Sequence, residues 1–179
     1  MKQQIHFSSA MALLLSPWLV TAALASGTHA GGHSDSTASI GVAGKATQVS
    51  RTIEVQMLDT MRYTPADFTV KQGETIRFVV TNAGKLKHEF VLGTDKDLKE
   101  HYEVMKKFPE MEHAEPNMVS LEPGKSGEVI WKFSKAGPVS IACLHPGHYD
   151  AGMKGLVTVT SGKATKKPAA GTSAHSHNH

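Results

Sequence analysis

The chain has 179 residues, a net charge of +3 and an apolar share of 40%, which suits one folded domain with tails. Between Arg51 and Ser161 stand 14 Lys and Arg against 15 Asp and Glu, so the basic excess lies at the ends (Lys2, Lys45, Lys163, Lys166, Lys167). A nucleic-acid binder concentrates its cations on its folded domain, and that class is set aside.

Residues 1–25 read as a secretory signal. Lys2 is the positive start, Ala10–Leu15 and Trp18–Leu24 are apolar, and Ala23-Leu24-Ala25 fits the small-x-small cleavage pattern. The apolar stretch is interrupted by Ser16 and Pro17 and falls short of the ~20 residues of a spanning helix. The expectation is a periplasmic protein with no integral membrane segment after cleavage. Residues 26–50 are rich in Gly, Ser, Thr and Ala, carry His29 and His33, and show no apolar periodicity; they read as a flexible linker.

Residues 51–161 read as strands punctuated by turns. Ile53, Val55 and Met57 alternate within Thr52–Leu58, a period-two strand signal. Phe68–Val70 follows, then a turn through Gln72-Gly73, then the β-branched and aromatic run Thr75–Thr81. Glu89–Leu92 is a strand beginning at His88. Asp95–Asn117 lacks alternation and carries Leu98, Tyr102 and Met105, so it reads as an insertion with a helix over Asp97–Phe108, ended by Pro109. Met118–Leu121, Gly127–Phe133, Pro138–Cys143 and Leu156–Thr160 complete an all-β pattern of about eight short strands, which suggests an antiparallel sandwich. Residues 162–179 end in Ala-His-Ser-His-Asn-His and read as a disordered His-bearing tail.

Cys143 is the single cysteine. In an exported protein it cannot form an internal disulfide, so it has an outside partner, stays free or binds a metal. It opens the segment Cys143-Leu-His-Pro-Gly-His148-Tyr-Asp-Ala-Gly-Met153, with His88 far upstream at a strand start. Two imidazoles, a thiolate and a weak axial thioether form the ligand set of an electron-transfer copper site. Thioether is a poor zinc ligand, and the Cys-x-x-Cys-His of a c-type haem is absent. A nucleophilic Cys143–His148 pair is conceivable, without a third orienting group to name. His145, leaving the strand beside Cys143, is expected to point away from an ion held there.

This pattern, with Pro-Gly before the His and Met-Lys-Gly-x-Val-x-Val after it, resembles the cupredoxins of the auracyanin, rusticyanin and azurin kind. Lys87-His88-Glu89-Phe90-Val91-Leu92 looks like the strand that carries their first His ligand. The insertion is most similar to that of periplasmic cupredoxins of bacterial copper tolerance. The resemblance covers residues 51–161. It implies a Greek-key β-sandwich with one type 1 copper held by His88, Cys143, His148 and Met153. Glu89 and Leu144 depart from the Asn and the Ser or Thr of many members, so a side-chain clasp across the site is absent.

Two functions follow as expectations. The first is one-electron transfer between Cu(I) and Cu(II), with a periplasmic redox partner protein and a monomeric carrier. The second is copper tolerance, through binding or oxidation of excess copper. An enzymatic role is not expected, since four protein ligands leave no open position. Met105, Met111, His113 and Met118 are candidates for extra copper, because thioether and imidazole suit Cu(I); against this, Met105 and Met118 also read as gap-filling packing residues.

Overall fold

The computed structural model describes residues 34–162. The signal-like segment 1–25, the start of the expected linker and nearly all of the C-terminal tail lie outside the described residues. Two five-stranded sheets stack face to face as a Greek-key β-sandwich with a helical insertion. The first sheet holds β1 (Val42–Ala43), β2 (Arg51–Leu58), β3 (Arg62–Thr64), β5 (Thr75–Asn82) and β8 (Ser126–Lys132), in the order β1-β8-β5-β2-β3. The second holds β4 (Asp67–Lys71), β6 (His88–Gly93), β7 (Met118–Leu121), β9 (Gly137–Ala142) and β10 (Lys154–Thr160), in the order β4-β10-β9-β6-β7. The pairs β2–β5 and β4–β10 are parallel; the other paired strands run antiparallel. Between the sheets Phe78 packs edge-on against Phe68 and Phe133, and tilted against Phe90. Val55, Met57, Ile76, Trp131 and Ile141 fill the remaining space.

Strands β1 and β3 were not expected. They have two and three residues, too few to show a period.

The linker expectation needs correction over residues 34–50. A helix α1 (Ser34–Ile40) leads into β1, which pairs with β8 at Val42–Lys132 and Ala43–Trp131. Ile40 is buried against the core, and its carbonyl accepts from Trp131 Nε1 (3.4 Å). At Gly41 (φ 142°) a Cβ would stand 2.1 Å from the Lys132 carbonyl oxygen, so only glycine fits this close crossing. One buried Ile and a two-residue strand suffice to tie down a stretch whose composition reads as loose. Ile40→Ala is therefore expected to lower stability by about 2 kcal/mol, the low end for a buried Ile truncation, while the far-ultraviolet circular dichroism of the folded protein stays unchanged. An unmoved urea midpoint would show that this segment adds nothing to the fold.

The second helix, α2 (Asp95–Lys107), is set by local chemistry. The Thr94 hydroxyl accepts from the Asp97 N–H (3.1 Å), Asp95 and Asp97 sit in the first turn, and Lys106 and Lys107 in the last. This charge order complements the helix dipole. Leu98, Tyr102 and Met105 face the outer side of the second sheet and bury Val91, Ala142, Leu144 and Tyr149 with Met118. Strand β6 is consequently buried along its whole length. Phe90 and Leu92 face the sandwich core, while Val91 faces the helix. No helix of the described residues is long and apolar enough to cross a membrane.

Candidate metal centre

His88 opens β6 and Cys143 directly follows β9, so adjoining strands of one sheet bring them together. The loop from Cys143 to Met153 carries His148 back over them. His148 Nδ1 lies 3.3 Å from Cys143 Sγ and 3.2 Å from His88 Nδ1. Among the described residues, His88, Cys143 and His148 form the group of His, Cys, Asp or Glu side chains whose donor atoms all fall within 4.8 Å of one another. His88 and Cys143 are fully buried and His148 is half-buried.

Met153 closes the loop. Its carbonyl accepts from the Cys143 N–H (3.1 Å), its own N–H donates to the His148 carbonyl (3.0 Å), and its side chain is fully buried in the core cluster that contains Cys143. The preceding Gly152 has φ 92°, a left-handed conformation that glycine adopts without strain.

The electrostatics suit a metal. Burial pushes the Cys143 thiol up to about 12, against which N–H donation from Glu89 and His145 works only partly. Burial, then the neighbouring His88 and His145, pulls His148 down to about 4. At neutral pH the His148 ring already has a free lone pair, whereas the thiol must give up its proton to a metal. A soft sulfur and two imidazole nitrogens converging in a buried site fit copper in both oxidation states.

Two supports of this cluster were not found from the sequence. Asp59, in the turn between β2 and β3, accepts from His88 Nε2 through Oδ1 (3.0 Å). The same carboxyl receives the N–H of Lys85 (2.8 Å) and Leu86 (3.2 Å). The Lys85 N–H first, then the His88 ring, holds the Asp59 carboxyl below its ordinary range. This contact fixes the tautomer that presents the bare Nδ1 of His88 to the site. Nothing local marks Asp59, which is 29 residues from His88 in the chain.

The second support is α2. The Tyr102 hydroxyl donates to Asp150 Oδ2 (2.8 Å) and accepts from the Gly147 N–H (3.0 Å). Its ring stacks on Tyr149 at 4.9 Å. From β3 of the first sheet Arg62 Nη1 donates to the Ala151 carbonyl (2.9 Å). The loop bearing His148 is thus held by two separate elements, of which the insertion is one.

The remaining sequence expectations divide. Leu144 is buried in the cluster under α2 and makes no clasp across the site; the backbone N–H of Glu89 donates to Cys143 Sγ instead (3.4 Å). His145 stands outside the donor group, its ring centre 5.7 Å from that of His148. Met105 and Met118 are corrected as copper candidates: both are buried in apolar packing with Leu98 and Tyr102. Met111 and His113 instead line a cavity beside Glu89 and His145.

Comparison with known proteins agrees with this geometry. The chain is 50% identical over 132 residues to a Rubrivivax gelatinosus protein named copper-resistant cuproprotein CopI, covering 73% of this chain and 80% of that one. It is 40% identical over 144 residues to a protein of the same name from Pseudomonas aeruginosa, covering 64% of this chain and 79% of the relative. Reduced auracyanin from Roseiflexus castenholzii superimposes with a TM-score of 0.54 at 26% identity, covering 63% of this chain and 98% of auracyanin. The family model described as copper binding proteins, plastocyanin/azurin family, matches residues 49–160. Because that match runs from the start of β2 to the end of β10 and takes in the whole donor cluster, the chain belongs to the plastocyanin/azurin family of copper-binding proteins.

Proposed function

We propose that this chain is a periplasmic copper-tolerance protein that holds one copper ion through His88, Cys143, His148 and Met153. The observation that carries the reading is the buried Cys143 thiol with two His Nδ1 atoms drawn up to it, one of them oriented by Asp59. Bound there, copper supplies one-electron chemistry between Cu(I) and Cu(II). Cys143 provides the soft anionic ligand once its proton has left. Asp59 holds the His88 ring, and the Tyr102 and Arg62 contacts restrain the loop, so the protein would keep its donors in place through a change in the charge of a bound ion. The His148 ring, half-buried at the loop surface, offers the route to a redox partner protein.

The sequence put one-electron carriage first and copper tolerance second. The named relatives, each a copper-resistant cuproprotein, favour the reverse order. The two readings share the same centre and differ in physiology. Growth of a deletion strain over a range of copper concentrations separates them. Copper sensitivity that the intact gene relieves and a Cys143→Ser gene does not is the expected result. A respiratory defect without added copper would instead make electron carriage the main role.

The place of Met153 is tested by a paired comparison. Thioether favours Cu(I), so Met153→Gln should keep copper bound and lower the reduction potential. His148→Ala removes a strong ligand and should release the metal far more readily. Equal metal loss in the two variants, or an unmoved potential in Met153→Gln, would remove Met153 from the ligand set.

A further inference from the structure

Successive residues of a strand point to opposite faces. His88 therefore looks toward the centre described above, and Glu89 looks to the other side of the second sheet. On that side a cavity of about 620 Å³ lies between the sheet and residues 108–117, which link α2 to β7 and contain neither helix nor strand. Its walls include Glu89, Met111, His113 and His145.

The polar atoms here are anomalous. Glu89 is 4% exposed, and its Oε2 is shut from solvent without a hydrogen-bond partner. The same holds for His145 Nε2 and for both ring nitrogens of His113. Four of the five such side-chain atoms among the described residues thus border one cavity. A buried polar group left without a partner is costly, so their gathering in one place calls for a ligand. Lys87 also reaches the wall, but its Nζ is engaged by Glu112 and Glu122, each at 3.3 Å. That leaves the Glu89 carboxyl to offer an oxygen and the two rings to offer nitrogens, a set that recognises a cation.

We propose that this cavity is a second metal-ion site, with Glu89, His113 and His145 as its ligands and an ion of borderline softness, Cu(II) or Zn(II), as its occupant. Two imidazoles and a carboxyl oxygen match that class. His145 Nε2 and Glu89 Oε1 already stand 3.8 Å apart. His113 comes from the opposite wall, its ring held against His101 at 4.5 Å between centres. The three donors do not all lie within 4.8 Å of one another as the centre described above does. Binding therefore draws the 108–117 segment toward the sheet. The two sites are back to back: His145 is two residues from Cys143, and Glu89 adjoins His88.

The test uses the full chain with the Cys143 centre loaded with Cu(I) under anaerobic conditions, and Zn(II) as the probe. Histidine ring nitrogens are followed by NMR, which separates His113 and His145 from the tail histidines. The expected result is that the His113 and His145 rings shift together and saturate at one Zn(II) concentration. In His113→Ala the His145 response should need at least about tenfold more Zn(II), a loss no smaller than that from removing a mere supporting contact. The visible band of the oxidised His113→Ala protein should be unchanged, which certifies its fold. Shifts confined to the tail histidines would overturn the proposal, as would a His145 titration identical in wild type and His113→Ala.

Discussion

Replacing Cys143 by Ser is expected to abolish the intense visible absorption of the copper-loaded protein while leaving the sandwich folded. The band arises from charge transfer between a thiolate and Cu(II), and Cys143 is the only thiol in the chain. The fold should survive because the substitution is nearly isosteric. The serine oxygen can accept the Glu89 N–H that Sγ accepts now (3.4 Å). Burying a hydroxyl in place of a thiol in a fully enclosed position costs about 1–3 kcal/mol, a fraction of the 5–15 kcal/mol typical of a domain. Absorption from 400 to 700 nm would be read together with far-ultraviolet circular dichroism. A strong visible band that persists in the serine variant would sink the assignment of Cys143.

The second large effect is expected at a residue that touches no metal in the proposed centre. Asp59→Ala should weaken copper binding about 10–100-fold, the usual cost of losing the partner that orients a ligating His. Without the carboxyl, His88 can take the other tautomer and turn its protonated nitrogen toward the site. The Lys85 and Leu86 N–H groups lose their acceptor as well, so the turn that leads into β6 loosens. Asp59→Asn separates these effects. Its amide oxygen still accepts from a ring or backbone N–H, so affinity should fall less than in Asp59→Ala. Competition with a chelator of known affinity measures both. Equal affinity in wild type and Asp59→Ala would mean that the core around His88 alone sets the ring.

Several features are legible in the amino-acid order because their cause is local. The period-two alternation of Ile53, Val55 and Met57 needs only that one strand face is buried. The helix stop before Pro109 follows from the missing proline N–H, whereas its start, capped by Thr94, falls two residues before the expected Asp97. The loop from Cys143 to Met153 shows its donors within eleven consecutive residues, and the types and spacing of those donors already point to copper. His88 is legible only through its neighbours, as a strand-start histidine in a familiar sequence context.

The rest depends on partners far apart in the chain. Asp59 meets His88 across 29 positions, Tyr102 meets Asp150 across 48, and Trp131 meets Ile40 across 91. No periodicity announces such pairs, because each residue is ordinary in its own segment. The insertion shows the limit most clearly. Its Met residues read both as copper donors and, for Met105 and Met118, as packing residues, and only the fold chooses: α2 turns Met105 into the apolar cluster on the second sheet, and the register of β7 against β6 buries Met118 beside it. Met111 and His113, on the irregular segment between those elements, are left at the cavity. Amino-acid order specifies which donor atoms the protein owns and that a β-sandwich carries them. Tertiary structure decided which of them converge, because burial and orientation are properties of the packed sheets and not of the segments that form them.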